Sequence, residues 1–358
     1  MGTHYIEYDI IKIIAVVMVI YIHTTTDGFF LFSLYYEPNT SSSWQYWTYM
    51  IPSVISQIAV PLFFMVSGAL LLGKEESIRS VWKHRISKYS VVLVLVSLLY
   101  YVLYSVRTGY SLDFIHFLRL VYFGSAAAHL WFLYSYLGYL IILPFLRYVA
   151  KGLSRNSVFY LLGISVVFSG IIPMLQFLLL NNKLQLNPDL RVGAFTGMAV
   201  FYPLLGYGFT KFKPNRKTAN VLLLIGVLSI IPVVLMTYLN MRSTGVYDYS
   251  SEHEVTVFWE CFNEVRTVVV FVILSWLAGY IKKQSLTRLI KSLGSCVFGV
   301  YLFSLALQRS VFMISLFQGI SACLSPFLSI VIFVILVFLI TALFVYCLRK
   351  IPFVNKYI

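Results

Sequence analysis

Residues 8–26 read YDIIKIIAVVMVIYIHTTT. Only Asp9, Lys12 and His23 bring charge or a titratable ring into an otherwise apolar, Tyr- and Thr-bearing run. A stretch of this length suits one crossing of a bilayer core of about 30 Å, which takes about 20 helical residues. It does not read as a cleaved leader, because Lys12 lies inside it and no A-x-A-like site follows. At 100° per residue, the step from Lys12 to His23 makes three turns and about 20°, so both side chains leave one face about 16 Å apart along the axis. Asp9 lies within a turn of Lys12 on the same side. Two readings stay open. One is a polar track in which His23 shuttles protons near neutral pH. The other is a snorkelling Lys12 and a His23 that bonds between helices.

The rest of the chain repeats the apolar pattern. Of 358 residues, 60% are hydrophobic, 17% aromatic and 11% charged, against about 25% charged in a soluble domain. Disorder, a disulfide-stapled module and an ordinary soluble enzyme are excluded. Further apolar runs fall at 50–72, 87–106, 129–149, 157–180, 192–210, 218–240, 256–281, 293–316 and 323–348. The expected fold is therefore an all-α membrane protein, a bundle of about ten transmembrane helices forming a single polytopic domain. Cys261, Cys296, Cys323 and Cys347 fall inside or at the edge of apolar runs without metal-ligand spacing, and read as small core residues.

The net charge of +14 follows the loops. Nineteen Lys and Arg lie in alternate loops and the C-terminal segment, five in the intervening loops, and Lys12, Arg266 and Arg309 in spans. The positive-inside bias then puts both termini in the cytoplasm, and the basic excess needs no nucleic acid. Residues 111–123 (SLDFIHFLRLVYF) are too short to span and read as a short amphipathic helix in the outer interface.

Ionisable groups inside spans are expensive and default to functional hypotheses. The eighth run holds Glu260, Asn263, Glu264 and Arg266 in its outer half. These read either as a cavity lining or as a structural polar cluster. Arg309 and His129 lie at comparable depth and are candidates for the same region. Where the third span begins, WKHRISKY carries Lys83, Arg85 and Lys88. This is either a cradle for a cytoplasmic anion or plain positive-inside bias.

At these residues the chain resembles the acyltransferase-3 family of integral-membrane acyltransferases. The spacing from Lys12 to His23 is similar to the family's Lys/Arg, ten residues, His pattern. QIAVPLFFMVSGALLL is similar to its second-span stretch through Pro61, Phe63, Phe64, Ser67 and Gly68. Arg85 and Lys88 are similar to its basic R-x-x-R, with Lys at the second place. His129, Leu130, Trp131, Phe132 and Leu133 match its H-L-W-F-L motif, and SLGSCVFGVYLFS resembles a later S-x-GxYLxH stretch. There Ser304 stands where many members have His; Ser304 or Arg309 takes that role, or the role is absent.

The resemblance implies transfer of an acyl group, usually acetyl, from cytoplasmic acyl-CoA to a hydroxyl of a cell-surface glycan or lipid-linked sugar, in a bacterial cytoplasmic membrane. Under it, His23, Lys12 and Glu264 are the expected catalytic groups, with His23 as general base. Arg85, Lys88 and Lys83 are expected to bind acetyl-CoA. Asp9, His129, Trp131, Arg266 and Arg309 are expected to bind the acceptor. No metal is expected. The alternative is a secondary transporter or exporter of a surface-polysaccharide intermediate, which buried charges in ten spans also suit, although no inverted repeat is evident.

Overall fold

The computed structural model describes residues 5–25, 44–180, 197–244, 258 and 261–358. Among the described residues every regular element is helical. In chain order these are α1 (Ile6–Thr25), α2 (Trp44–Ser56), α3 (Ala59–Leu71), α4 (Ser87–Thr108), α5 (Phe114–Phe123), α6 (Trp131–Lys151), α7 (Arg155–Ser165), α8 (Ile172–Leu180), α9 (Met198–Lys211), α10 (Arg216–Leu228), α11 (Ile230–Thr244), α12 (Asn263–Ala278), α13 (Gln284–Gln308), α14 (Val311–Cys323), α15 (Pro326–Leu348) and α16 (Pro352–Tyr357). π-helical turns lead into α4 at Val81–Ile86 and join α7 to α8 at Val166–Ile171.

Seven of the helical segments are long and apolar enough to cross a membrane, namely Met50–Leu71, Ile78–Thr108, Trp131–Lys151, Arg155–Leu179, Arg216–Asn240, Gln284–Gln308 and Phe327–Leu348. The expected runs 8–26, 192–210 and 256–281 correspond to α1, α9 and α12. Helix α1 carries Glu7, Asp9 and Lys12, and the described parts of the other two have 14 and 16 residues. Two boundaries differ clearly from the sequence reading. The third spanning helix begins at Ile78 rather than at 87. The run 293–316 breaks at Arg309 and Ser310, because the Ser310 side chain accepts from Met313 N (3.3 Å) and caps a new helix.

Helix α1 is packed by α2, α3, α12, α13 and α15. Ile11, Ala15, Val16 and Ile20 are wholly buried. A helix enclosed in this way need not face lipid, which is why its charges are tolerated. Helices α3 and α9 approach backbone to backbone. A Cβ added at Gly68 would lie 2.0 Å from Pro203 O, and one at Gly206 would lie 2.0 Å from Met65 O. Such small-residue contacts are how membrane helices pack closely.

The loops counted as basic meet at one end of the bundle. Lys151 pairs with Glu75 (3.6 Å), Lys211 donates to Leu153 O (3.5 Å), and Arg349 donates to Ser295 O (2.8 Å). The expected short helix at 111–123 is present as α5, capped by Asp113, which accepts from Ile115 N (2.7 Å) and His116 N (3.0 Å). Phe114, Tyr122 and Phe123 on it are exposed.

Candidate active site

Two adjoining cavities occupy the centre of the bundle. The first, about 350 Å³, lies toward the basic end and takes Lys12 from α1, Ser67 from α3, Lys88 and Tyr89 from α4, Tyr136 from α6, and Arg349. The second, about 190 Å³, takes His23 from α1, Gln57 from the break between α2 and α3, and His129 and Trp131 from the start of α6. Phe63, Phe132 and Tyr301 line both. Their rings form an aromatic neck, with Phe63 and Phe132 centroids 5.8 Å apart and Phe132 and Tyr301 5.3 Å apart at 77°.

The face of α1 read from spacing is thus divided between the chambers, Lys12 in the basic one and His23 in the other. Asp9 lies beneath Lys12 and lines neither cavity. Its carboxylate is 2.7 Å from Lys12 Nζ. Lys12 Nζ also donates to Gly294 O (3.5 Å), across a contact so close that a Cβ at Gly294 would meet Asp9 Cγ at 2.5 Å. Asp9 therefore positions Lys12.

His129 is buried and joins His23 with ring centroids 6.1 Å apart. Its carbonyl accepts a 2.6 Å bond from Tyr301 Oη, and its ring packs against Tyr100 (5.0 Å) and Tyr301 (5.4 Å). On α13, Gln308 Nε2 donates to Ile20 O (3.0 Å) and Thr24 Oγ1 (2.7 Å), which flank His23 in sequence. Gln308 was not anticipated from sequence, although it lies two turns after Tyr301 on the same face. Arg309, the next residue, is exposed at the end of α13 and lines neither cavity; Ser304 is buried in α13.

The polar cluster of the eighth run braces the wall of the histidine cavity. Pro61 has no N–H, so the carbonyl of Gln57 loses its helical donor; Asn263 Nδ2 supplies one at 3.1 Å. Ile58 N bonds to Ile55 O, which frees Val54 O, and Arg266 Nη1 donates to it at 2.9 Å. Arg266 Nη2 also donates to Cys261 O (2.8 Å). Glu264 accepts from Ser169 Oγ (2.6 Å). Neither Glu264 nor Arg266 lines either cavity. Phe262, in the left-handed region at φ 58°, turns the chain into α12 and sets its ring where Gly170 has no side chain. Glu260 lies outside the described residues.

The three cations of WKHRISKY separate. Lys88 lines the basic cavity, Lys83 is exposed, and Arg85 is engaged elsewhere. Arg85 grips Glu76 through Nε (2.9 Å) and Nη2 (2.6 Å), and Arg147 Nη2 adds a third bond to the same carboxylate (2.8 Å). Arg147 also donates to Leu71 O and Glu76 O. The bond from Arg85, reinforced by Arg147, outweighs partial burial and holds Glu76 down from an ordinary 4.5 to about 2. Arg85 is thus a fastener between loop and helix.

This arrangement offers an anion-friendly chamber, an aromatic wall shared by both cavities and a chamber with two imidazoles. A molecule charged at one end and reactive at the other would place its charge by Lys12 and Lys88 and its reactive group by His23. Among the described residues no group of His, Cys, Asp and Glu is placed to hold a metal ion. The family model for an acyltransferase domain, acyltransferase-3, matches residues 5–346. No curated protein and no solved structure matches the chain.

Proposed function

Because this chain belongs to the acyltransferase-3 family, a family of multi-pass membrane acyltransferases, we propose that it moves an acyl group, acetyl by preference, from acyl-CoA to a hydroxyl of a glycan or lipid-linked sugar. The basic end faces the cytoplasm in this reading, and the chain sits in the cell's cytoplasmic membrane. The observation that carries it is the pair of cavities sharing Phe63, Phe132 and Tyr301, cationic on one side and imidazole-lined on the other.

Acyl-CoA enters from the basic end, its phosphates near Lys88 and Lys12. The axial step of about 16 Å between positions 12 and 23 matches the reach of an extended pantetheine arm. That arm threads the aromatic neck and brings the thioester to His23. The acceptor hydroxyl enters the histidine cavity past Trp131. His23 takes the hydroxyl proton as the oxygen attacks the thioester carbonyl. The C–S bond breaks, the new ester leaves with the acceptor, and the proton passes from His23 to the CoA thiolate. His129 orients the acceptor beside it.

Inside-out membrane vesicles containing the chain, supplied with labelled acetyl-CoA and native acceptors, test this reading. Label should reach a glycan or lipid fraction and vanish in His23→Ala at equal membrane abundance. Transfer persisting in that variant would move the base elsewhere. No turnover, together with acyl-CoA-independent solute movement, would favour the transporter.

A further inference from the structure

Arg349 follows α15 and lies beyond the stretch matched by the family model, which ends at 346. It nevertheless reaches into the basic cavity. Two contacts hold it there. Its Nε donates to Asn355 Oδ1 (3.0 Å) on α16, and its Nη1 donates to Ser295 O (2.8 Å) on α13. The segment carrying Asn355 is itself seated, since α16 packs against α4 and Ile358 fills the space above Gly299, where a Cβ would lie 2.6 Å from Ile358 Cγ2. A guanidinium has five N–H donors, so two anchoring bonds leave a fork free toward the cavity.

Across that cavity stands Lys88, close enough for the two cations to repel each other. Lys12, the third cation, already has Asp9. Among the described residues lining the cavity there is no Asp or Glu side chain. Two like charges converge there without an acidic side chain between them, and one is fixed in orientation by neutral acceptors. Such a site is built for a bound anion, and a planar guanidinium anchored through Nε and Nη1 keeps its remaining N–H groups for phosphate oxygens. Arg85, the one arginine that the sequence placed in this role, is committed to Glu76.

We propose that Arg349, together with Lys88, is the phosphate clamp for the acyl-CoA donor, an inference that rests on the donor reading above. The fold-back of residues 349–358 thereby completes the donor chamber from outside the family's shared stretch.

The test uses the full chain purified in detergent and measures binding of CoA, 4′-phosphopantetheine and pantetheine by calorimetry. Wild type should bind the two phosphorylated ligands more tightly than pantetheine. Arg349→Gln should weaken both phosphorylated ligands by roughly ten- to a hundred-fold, as loss of a charged hydrogen bond does, and leave pantetheine unchanged. Arg349→Lys, which keeps the charge and lacks the fork, should recover part of the loss and serves in place of Arg349→Gln if that variant does not accumulate. Equal weakening of all three ligands would make Arg349 a structural residue and overturn the proposal, as would unchanged CoA binding. A wild type that binds none of the three would instead remove the donor reading, and the clamp with it.

Discussion

His23 of α1 and His129, which precedes α6, meet edge to face with ring centroids 6.1 Å apart and planes at 79°. Nothing local in the sequence joins them. They meet because α1 is enclosed by the bundle and because Tyr301 fixes the backbone of His129 from α13.

The two imidazoles should respond differently to removal. His23→Ala is expected to lower acyl transfer by about 10²- to 10⁴-fold, the usual contribution of a general base. His129→Ala should cost less in turnover and raise the acceptor concentration required. Labelled-acetyl transfer at equal membrane abundance measures both. Losses of equal size, with the double variant no worse, would mean that the pair acts as one unit.

Glu76 gives a pH signature outside the spans. Its folded-state value of about 2, below the ordinary 4.5, means that its contribution to stability is fully present above about pH 4.5 and is lost as pH falls from there through about 2. The side chain is 24% exposed, so solvent screening brings this to on the order of 2 kcal/mol. Thermal unfolding in detergent between pH 6 and 3 should show a falling midpoint, and Glu76→Gln should start lower and flatten the fall. An unchanged slope in that variant would assign the acid sensitivity to other carboxylates.

Helix α3 should tolerate nothing at Gly68. A Cβ there meets Pro203 O at 2.0 Å and Pro203 Cα at 2.4 Å, backbone atoms that cannot turn aside. Gly68→Ala is expected to cost about 3 kcal/mol, the upper end for overpacking, and to reduce the amount of folded protein in the membrane. Gly138→Ala, with open space around its Cβ, is the matched control and should accumulate normally. Equal accumulation of the two would contradict the close α3–α9 packing.

The neck should govern which acyl groups pass. Phe63 borders both cavities, and truncating it joins them into a wider passage. Phe63→Ala is expected to raise the use of butyryl- over acetyl-CoA by roughly ten-fold or more, the scale on which apolar pockets discriminate methylenes. Competition between the two donors in vesicles measures the ratio.

Much of this was legible in the sequence, and what was not has identifiable causes. Helical spacing alone put Lys12 and His23 on one face, and seven of the ten apolar runs coincide with helices long and apolar enough to span among the described residues. Spacing could not tell Arg85 from Lys88, because Glu76 reaches Arg85 only after the chain turns between α3 and α4. The eighth run drew attention as intramembrane charge, yet Asn263 and Arg266 serve carbonyls in another helix. The available clue was Pro61, whose missing N–H leaves a carbonyl four residues back in need of a donor. Arg349 carried no signal, since it stood in a terminal run of cations that topology already explained.

Tyr301 has two attachments. Its ring is a wall of the neck, and its hydroxyl holds the His129 carbonyl at 2.6 Å. A ring that swings aside to widen the passage must surrender that bond and loosen His129; a ring that keeps the bond keeps the passage narrow. The barrier between the chambers and the seating of one histidine are thus a mechanical interlock. The imidazole pair keeps its seating only while the Tyr301 ring holds its place between the two cavities.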